Sequence, residues 1–562
     1  MKRLLVFCLR DAKTDISVVE QVIRSLMDYS DSCVVVNISG ALIDKSNFKD
    51  NISIVSLKGV NIFEAYFQAI YSKKDIRKYD EVVCTCDSLI GPLQSASVLF
   101  ENVSEKESVW GIVSNFLFAD CGKVHYIDGR FIVLRKNIYL SSHIFRHLQN
   151  LVRGGNEDVE ILSVRIGTYF QTLGVKISGR LDNAWLNQFE SPLFDAVDVM
   201  SEVSPFLFME AFYSNYPHSE AHTMGGTAKK AISNLQMISP SAADTVWEAM
   251  LRQNISDVHH CLKPDFVLPS KLSYTLEKSS KTALYMHLYY EDILDVSHRY
   301  AKFVPENMDL LITTSSRSCK ERIEEMFSDI VCGKLEVRLV SGQGRSESAF
   351  LMGFKDIVME YDYICFVHDK KTLQVNPASI GWEFWRSGMD GCLYSRDYIK
   401  NIIYTFDTNP RLGFLAAYPT NVGPYINILG EYEWSSNYEG ILSLAKRLNL
   451  QTNIDKSKRL LAPFGSYFWF RTSALEPLMN YPWTLCDFPE EPLPVDGTLL
   501  HAIERIYPFV VQSQGYYSAY SVPDDLASVL LEDSAWIMRR IQRKVNARGH
   551  YFQDCHGLID SL

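Results

Sequence analysis

The chain has 562 residues, of which 47% are hydrophobic and 22% charged, so it has ample material for more than one core. Its net charge of −11 argues against a protein that wraps nucleic acid, which depends on neutralising phosphates. The twelve cysteines contain no C-x-x-C pair and read as buried thiols of a reducing compartment, with no zinc site.

The N-terminal MKRLLVFCLRD regains charge too early for a signal peptide and reads as a first strand. No apolar run reaches the roughly 18–20 residues of a membrane span, so a cytoplasmic protein is expected. Strands are expected at Arg3–Cys8, Ser32–Ile38, Asn51–Leu57 and Glu81–Thr85, with helices at Ile16–Tyr29 and Ile62–Tyr71. Strands at Val109–Val113 and Phe131–Leu134 and a helix at Asp158–Leu173 follow. This alternation predicts an α/β layer with a mainly parallel sheet. From Ser178 to Leu268 the pattern turns helical (Phe206–Phe212, Thr227–Leu235, Ala242–Gln253) and reads as a connector.

A second α/β pattern opens at Thr282–Tyr289 and runs through Tyr290–Tyr300 (helix), Asp309–Thr313, Cys319–Phe327 (helix), Leu335–Leu339, Phe350–Glu360 (helix) and Tyr363–Val367. YDEVVCTCDS (Tyr79–Ser88) and YDYICFVHDK (Tyr361–Lys370) suggest a diverged internal repeat. The chain closes with a helix, Leu526–Val545, and a polar tail. Arg539, Arg540, Arg543 and Lys544 on that helix suit a solvated face or an anionic membrane. The expected division is 1–177, a connector at 178–280, a second α/β domain at 281–522, and 523–562.

Ligands of parallel α/β sheets bind beyond the carboxyl ends of strands. Asp87, with Ser88 beside it, and Asp369 fall at such ends, where a carboxylate serves either as a ligand group or as a turn cap. His368-Asp369-Lys370-Lys371 adds two cations that suit a leaving diphosphate. There is no Asp-x-Asp pair, so no metal is required; Mg2+ or Mn2+ is compatible, with Asp369 as ligand. Ser341-Gly-Gln-Gly-Arg345 offers a close backbone approach and an anion-gripping Arg345. The proline-stiffened stretch Asp487–Arg505 gathers Glu490, Glu491, Asp496, His501, Glu504 and Arg505, with Glu491 or Asp496 as general base and His501 and Arg505 as orienting groups. It also reads as a capped, salt-bridged helix start. Gly465, Ser466 and Arg471 flank an aromatic strand whose Trp469 and Phe470 suit a core.

MHLYYEDIL (Met286–Leu294), FVHDKK (Phe366–Lys371), NPRLGFLA (Asn409–Ala416), FGSYFWFR (Phe464–Arg471) and DFPEEPLPVDGTLLHAIER (Asp487–Arg505) together resemble the rhamnan synthesis F family. DSLIGPL (Asp87–Leu93), VWGI (Val109–Ile112), RFIVLRK (Arg130–Lys136) and SPFLFMEAF (Ser204–Phe212) extend the resemblance over most of the chain. It implies two domains like the GT-A (Rossmann-like) glycosyltransferase fold. The implied donor is a nucleotide sugar, typically dTDP-L-rhamnose, and the implied acceptor a lipid-linked surface polysaccharide at the inner face of the membrane. Other polysaccharide-assembly enzymes are the implied partners.

The first half departs from the family's pattern at Gly59–Phe63, Tyr126–Phe131 and Arg165, which implies a first domain without that chemistry. In the second half the family's Gly-Arg-Asp reads Gly344-Arg345-Ser346. A non-catalytic scaffold and a glycoside hydrolase are the rival readings.

Overall fold

The computed structural model describes residues 1–12, 16–41, 51–101, 103–104, 106–119, 122–154, 157–182, 204–212, 227–275, 279–371, 376–419 and 433–546. The chain divides into two compact units, Met1–Met250 and Leu251–Leu562. Parts of the expected connector, at 183–203 and 213–226, and the expected tail at 547–562 lie outside the described residues.

The first unit is built on β1 (Arg3–Leu9), β2 (Ser32–Asn37), β3 (Ile52–Ser56), β4 (Glu81–Cys86), β6 (Val109–Ala119), β7 (Gly122–Ile127), β8 (Phe131–Arg135) and β9 (Ile177–Asp182). Among the described residues they form one sheet in the order β3-β2-β1-β4-β8-β6-β7, with β9 also paired to β6. Pairs β1–β2, β1–β4, β2–β3 and β6–β9 are parallel, while β8 runs antiparallel to β4 and β6. The apolar β1 and β4 are buried along their length, as strands covered on both faces must be.

The second unit repeats this plan with β12 (Thr282–His287), β13 (Asp309–Thr314), β14 (Leu335–Leu339), β15 (Tyr363–His368), β16 (Leu412–Ala417), β17 (Phe468–Arg471) and β18 (Tyr517–Pro523), plus β11 (Phe266–Leu268) at the edge. The order is β11-β18-β16-β17-β15-β12-β13-β14. With the short β5 (Leu89–Ile90), the hairpin strand β7 and the edge strand β11 left out of the count, both sheets read 3-2-1-4-6-5-7 from each unit's first strand, with the sixth strand reversed. Both units are GT-A-like, Rossmann-like α/β layers. In each, strands one and four lie side by side where the strand order reverses, which opens a crevice at their carboxyl ends.

The repeat extends to side chains. Asp80 accepts from the Lys2 N–H at 2.7 Å and Asp362 from the Lys281 N–H at 2.8 Å. The Tyr79 hydroxyl meets Ser32 at the start of β2, and the Tyr361 hydroxyl donates to Asp309 at the start of β13. The two aromatics expected in the core are there: Trp469 is fully buried, and Phe470 packs with Phe350, Phe366, Phe414, Phe468 and Tyr507.

Three expectations change. Phe206–Phe212 is not an α-helix; β10 (Leu207–Phe208) pairs with β5 (Leu89–Ile90), and one 3-10 turn follows, Met209–Phe212. The helix expected over Phe350–Glu360 runs instead from Arg345 to Met352, and a separate 3-10 turn covers Val358–Glu360. The connector residues split: β9 joins the first sheet, and β11 with the Ile255–Leu262 helix joins the second unit.

Candidate active site

In the second unit the crevice is closed by Asp369, directly after β15. Its N–H donates to the His287 carbonyl at 3.1 Å, continuing the β12–β15 ladder. Its Oδ2 accepts the Tyr289 and Tyr290 N–H groups at 2.8 and 2.7 Å, which shapes the turn after β12. Oδ1 is buried and has no hydrogen-bond partner among the described residues. Burial pushes the Asp369 carboxyl up to about 7, against the pull of the two N–H groups.

His368 ties this strand end to the next segment. Its Nε2 lies 2.7 Å from the Gly465 carbonyl oxygen and its Nδ1 2.8 Å from that of Asp369. Burial, then Lys370, push its pKa down to about 4. The two lysines diverge. Lys370 sits 4.9 Å over the Phe384 ring, while Lys371 pairs with Asp292 and lies 5.0 Å over Tyr290.

The glycine-arginine segment starts the Arg345–Met352 helix. Gly344 and Arg345 both have positive φ, +78° and +51°. A Cβ on Gly344 would lie 2.8 Å from the Phe488 ring, so the acidic loop packs directly on this turn. Gln343 donates to the Phe488 carbonyl at 2.8 Å, and Arg345 grips Glu491 through two bonds, 2.7 and 3.2 Å. Both partners of that ion pair are about half exposed, so it is weak and open to exchange for another anion.

Within the acidic loop the carboxylates differ. Asp496 is saturated: Ser435 and Ser436 hydroxyls and the Asn437 amide donate to it at 2.6, 2.9 and 2.8 Å. Burial works against the charge, yet these donors hold its carboxyl far below the usual range. His501 bonds Thr498 at 2.8 Å and lies 4.0 Å from Asp496. Glu504 accepts from the Gly465 N–H at 2.6 Å and from Arg505 at 2.7 Å. Arg505, nearly buried, also donates to the carbonyls of His501 and Glu433.

The end of β15, the Gly465-Ser466 turn, the Arg345 helix start and the Glu491–Arg505 stretch therefore meet on one side of the sheet. Arg471 does not join them. It pairs with Tyr363 at the opposite end of β15 and donates to the Leu412 and Phe406 carbonyls, so it is a brace of the fold.

Sequence reasoning passed over Glu347. It lies in the first turn of the Arg345–Met352 helix, 3.3 Å from the Ser466 hydroxyl and 3.0 Å from that of Ser346. Burial, then Glu504, push its carboxyl up to about 7. The signal was its place three residues after Gly344, within the first turn that the glycine opens.

In the first unit, Asp87 and Ser88 face an arginine from the turn after β1. Asp87 accepts the N–H groups of Arg10 and Asp11, both at 2.8 Å, and the Arg10 guanidinium at 3.0 Å. Arg10 also reaches Ser88 and, at 2.8 Å, Glu210. Arg130 lies 3.3 Å from Glu210 and 2.6 Å from Asp128. Burial alone would raise the Glu210 carboxyl, but Arg10 and Arg130 hold it at about 2.

These features define a duplicated GT-A-like α/β protein whose second copy keeps a buried carboxylate oxygen, unpaired among the described residues, at the end of its fourth strand. The chain belongs to the rhamnan synthesis protein F family, whose pattern matches residues 46–516, and so to a family of polysaccharide biosynthesis. It is 25% identical over 240 residues to the uncharacterized protein WxcX of Xanthomonas campestris pv. campestris, in strains B100 and ATCC 33913. That match covers 42% of this chain and 32% of the relative, so the chain spans about a third of the length of these curated relatives. Among solved structures, the apo-form glycosyltransferase GlyE of Streptococcus pneumoniae TIGR4 is similar at 13% identity and a TM-score of 0.26, over 66% of this chain and 87% of that one. The inositol-1-phosphate CTP transferase of T. maritima is similar at 16% identity and a TM-score of 0.22, over 32% and 85%. No helix among the described residues is long and apolar enough to cross a membrane.

Proposed function

We propose that the second unit transfers a sugar from a nucleotide-sugar donor to the growing chain of a surface polysaccharide. The observation that carries this reading is the buried Asp369 carboxylate, whose Oδ1 has no hydrogen-bond partner among the described residues, with Lys371 acting on it and both Lys371 and Arg345 acting on the adjacent Tyr290. Arg345, with Lys370 and Lys371, would neutralise the diphosphate. The Gly465-Ser466 backbone would pass beneath it, and His501 and Arg505 would hold the acidic stretch in place. A Mg2+ or Mn2+ ion fits Asp369 Oδ1, because such an ion needs few carboxylates when phosphate oxygens complete its shell. Bound there it would supply further charge neutralisation for the leaving group. Among the described residues no set of three or more His, Cys, Asp or Glu side chains is placed to hold a metal by itself, so the ion would come with the donor.

Family membership favours a deoxyhexose such as rhamnose, from dTDP-L-rhamnose, as the sugar. It likewise favours a lipid-linked acceptor at the inner face of the membrane, beside other assembly enzymes. The exposed Arg539, Arg540 and Arg543 on the closing helix suit that surface. Transfer assays over a panel of nucleotide sugars, with Asp369→Asn as control, test the reading. A wild-type chain that uses no donor, or an Asp369→Asn chain as active as wild type, removes it. For the first unit the rival reading, a non-catalytic binding or scaffold module, is favoured by Arg10, which supplies Asp87 with the hydrogen-bonded cation that the matching Asp369 lacks among the described residues.

A further inference from the structure

Glu347 lies where helix, turn and strand end converge, and its side-chain hydrogen-bond partners are hydroxyls, those of Ser346 and Ser466. A hydroxyl can donate to a carboxylate or accept from a carboxylic acid, so this setting holds Glu347 in either protonation state. Three carboxylates of the acidic stretch have polar or charged partners of their own. Glu491 is paired with Arg345, Asp496 with three polar side chains, and Glu504 with Arg505 and the Gly465 N–H. The groups facing Glu347 are Arg345 from its own helix, Glu504 and Tyr507 from the Leu499–Ser513 helix, and Tyr467 beside Ser466. The Tyr467 and Tyr507 hydroxyls are buried without hydrogen-bond partners among the described residues, so the surroundings of Glu347 hold polar groups that these residues leave unpaired.

We infer that Glu347, rather than a carboxylate of the acidic loop, is the general base that takes the proton from the acceptor hydroxyl. The inference rests on the glycosyl-transfer reading above. The acceptor O–H proton passes to a Glu347 oxygen as the acceptor oxygen bonds to the anomeric carbon. The bond from that carbon to the phosphate oxygen breaks, and the nucleoside diphosphate leaves with its electron pair beside Arg345 and the lysines. Attack from the face opposite the leaving group inverts the anomeric centre. Glu504, paired with Arg505, is a positioning residue whose carboxyl faces Glu347 and raises its proton affinity.

The test uses the full chain with dTDP-L-rhamnose, UDP-N-acetylglucosamine and GDP-mannose, following nucleoside diphosphate release, and calorimetric binding of dTDP, UDP and GDP. Glu347→Gln is expected to lower kcat about a hundredfold or more while nucleotide binding stays within twofold. Wild-type kcat is expected to rise with pH through about 7, and Glu347→Asp to keep that limb at reduced rate. Glu347→Gln turnover within threefold of wild type, or a fall in nucleotide binding that matches the fall in rate, overturns the assignment alone. Absence of wild-type turnover with every donor sinks the assignment together with the transfer reading.

Discussion

Asp87 and Asp369 stand at the same register of two copies of one sheet, each closing the turn after its unit's first strand through two backbone N–H groups. They differ in the residue at the first position of that turn. Arg10 folds back onto Asp87, whereas the matching Tyr289 is about half exposed, and Asp369 Oδ1 has no hydrogen-bond partner among the described residues. One side chain thus separates a carboxylate neutralised from within the protein from one that keeps an unpaired oxygen.

Arg10→Ala strands Asp87 and Glu210 in a buried site with less compensating charge. Breaking a buried pair by removing one partner costs about 3–5 kcal/mol. Unfolding of the first unit is therefore expected at distinctly lower denaturant, with donor turnover unchanged within twofold. Turnover that falls in step with stability would give the first unit a catalytic share.

The same cluster sets an acid limit. Glu210 is held at about 2, below its ordinary value of about 4.5, so it contributes stability above that value and loses it as pH falls toward 2. The shift corresponds to about 3 kcal/mol. Melting followed from pH 6 to 3 should show the first unit weakening first, and Glu210→Gln should flatten that slope while lowering stability at pH 7.

Glu347 carries the opposite sign. Its folded-state pKa of about 7 lies above the ordinary value, so its stabilising share is full below about 4.5 and is lost as pH rises through about 7. Glu347→Gln removes that loss. The variant is expected to melt several degrees higher than wild type at pH 8 and no higher at pH 4.5. Equal melting shifts at both pH values would show that Glu347 is not held neutral in the fold.

Much of this was legible in the sequence, for a physical reason. Strands buried on both faces read as unbroken apolar runs, so β1, β4, β12 and β15 could be placed to within a residue or two, and the Tyr-Asp openings exposed the repeat. The segments that converge were marked by glycines, prolines and clustered charge. What could not be read was which charges cancel. Asp496 looked like a base until Ser435, Ser436 and Asn437, about sixty residues earlier, were found around it. Arg471 looked like an anion ligand because antiparallel pairing, which carries it to the far end of β15, leaves no mark in a single strand's sequence. Leu207 and Phe208 pair with Ile90 and Leu89, 117 and 119 residues earlier, so their helical spacing was overridden by a distant partner.

Asp496→Asn separates a structural from a chemical role. The amide keeps one acceptor oxygen but turns the other into a donor facing either the two serine hydroxyls or the Asn437 amide, at a cost of about 1–3 kcal/mol. Local stability should fall, as hydrogen exchange in 433–438 and 494–500 would show, while kcat stays within a few-fold. A loss of kcat beyond a hundredfold with unchanged exchange would return the base to Asp496.

Arg345 poses stability against function at one position. A non-glycine residue at φ +51° is held in a conformation that costs about 1 kcal/mol or more, and glycine occupies it without that strain. The ion pair with Glu491 returns little, because both partners are about half exposed. Arg345→Gly is therefore expected to leave the melting temperature of the second unit unchanged or raised by a few degrees. Its affinity for dTDP should fall tenfold or more, because a guanidinium beside the crevice is lost. Glu491→Ala frees the same guanidinium and should leave that affinity equal or tighter. If Arg345→Gly destabilises the unit and dTDP binds as before, the strained arginine serves the fold, and the cation that meets the diphosphate has to be sought at Lys370 or Lys371.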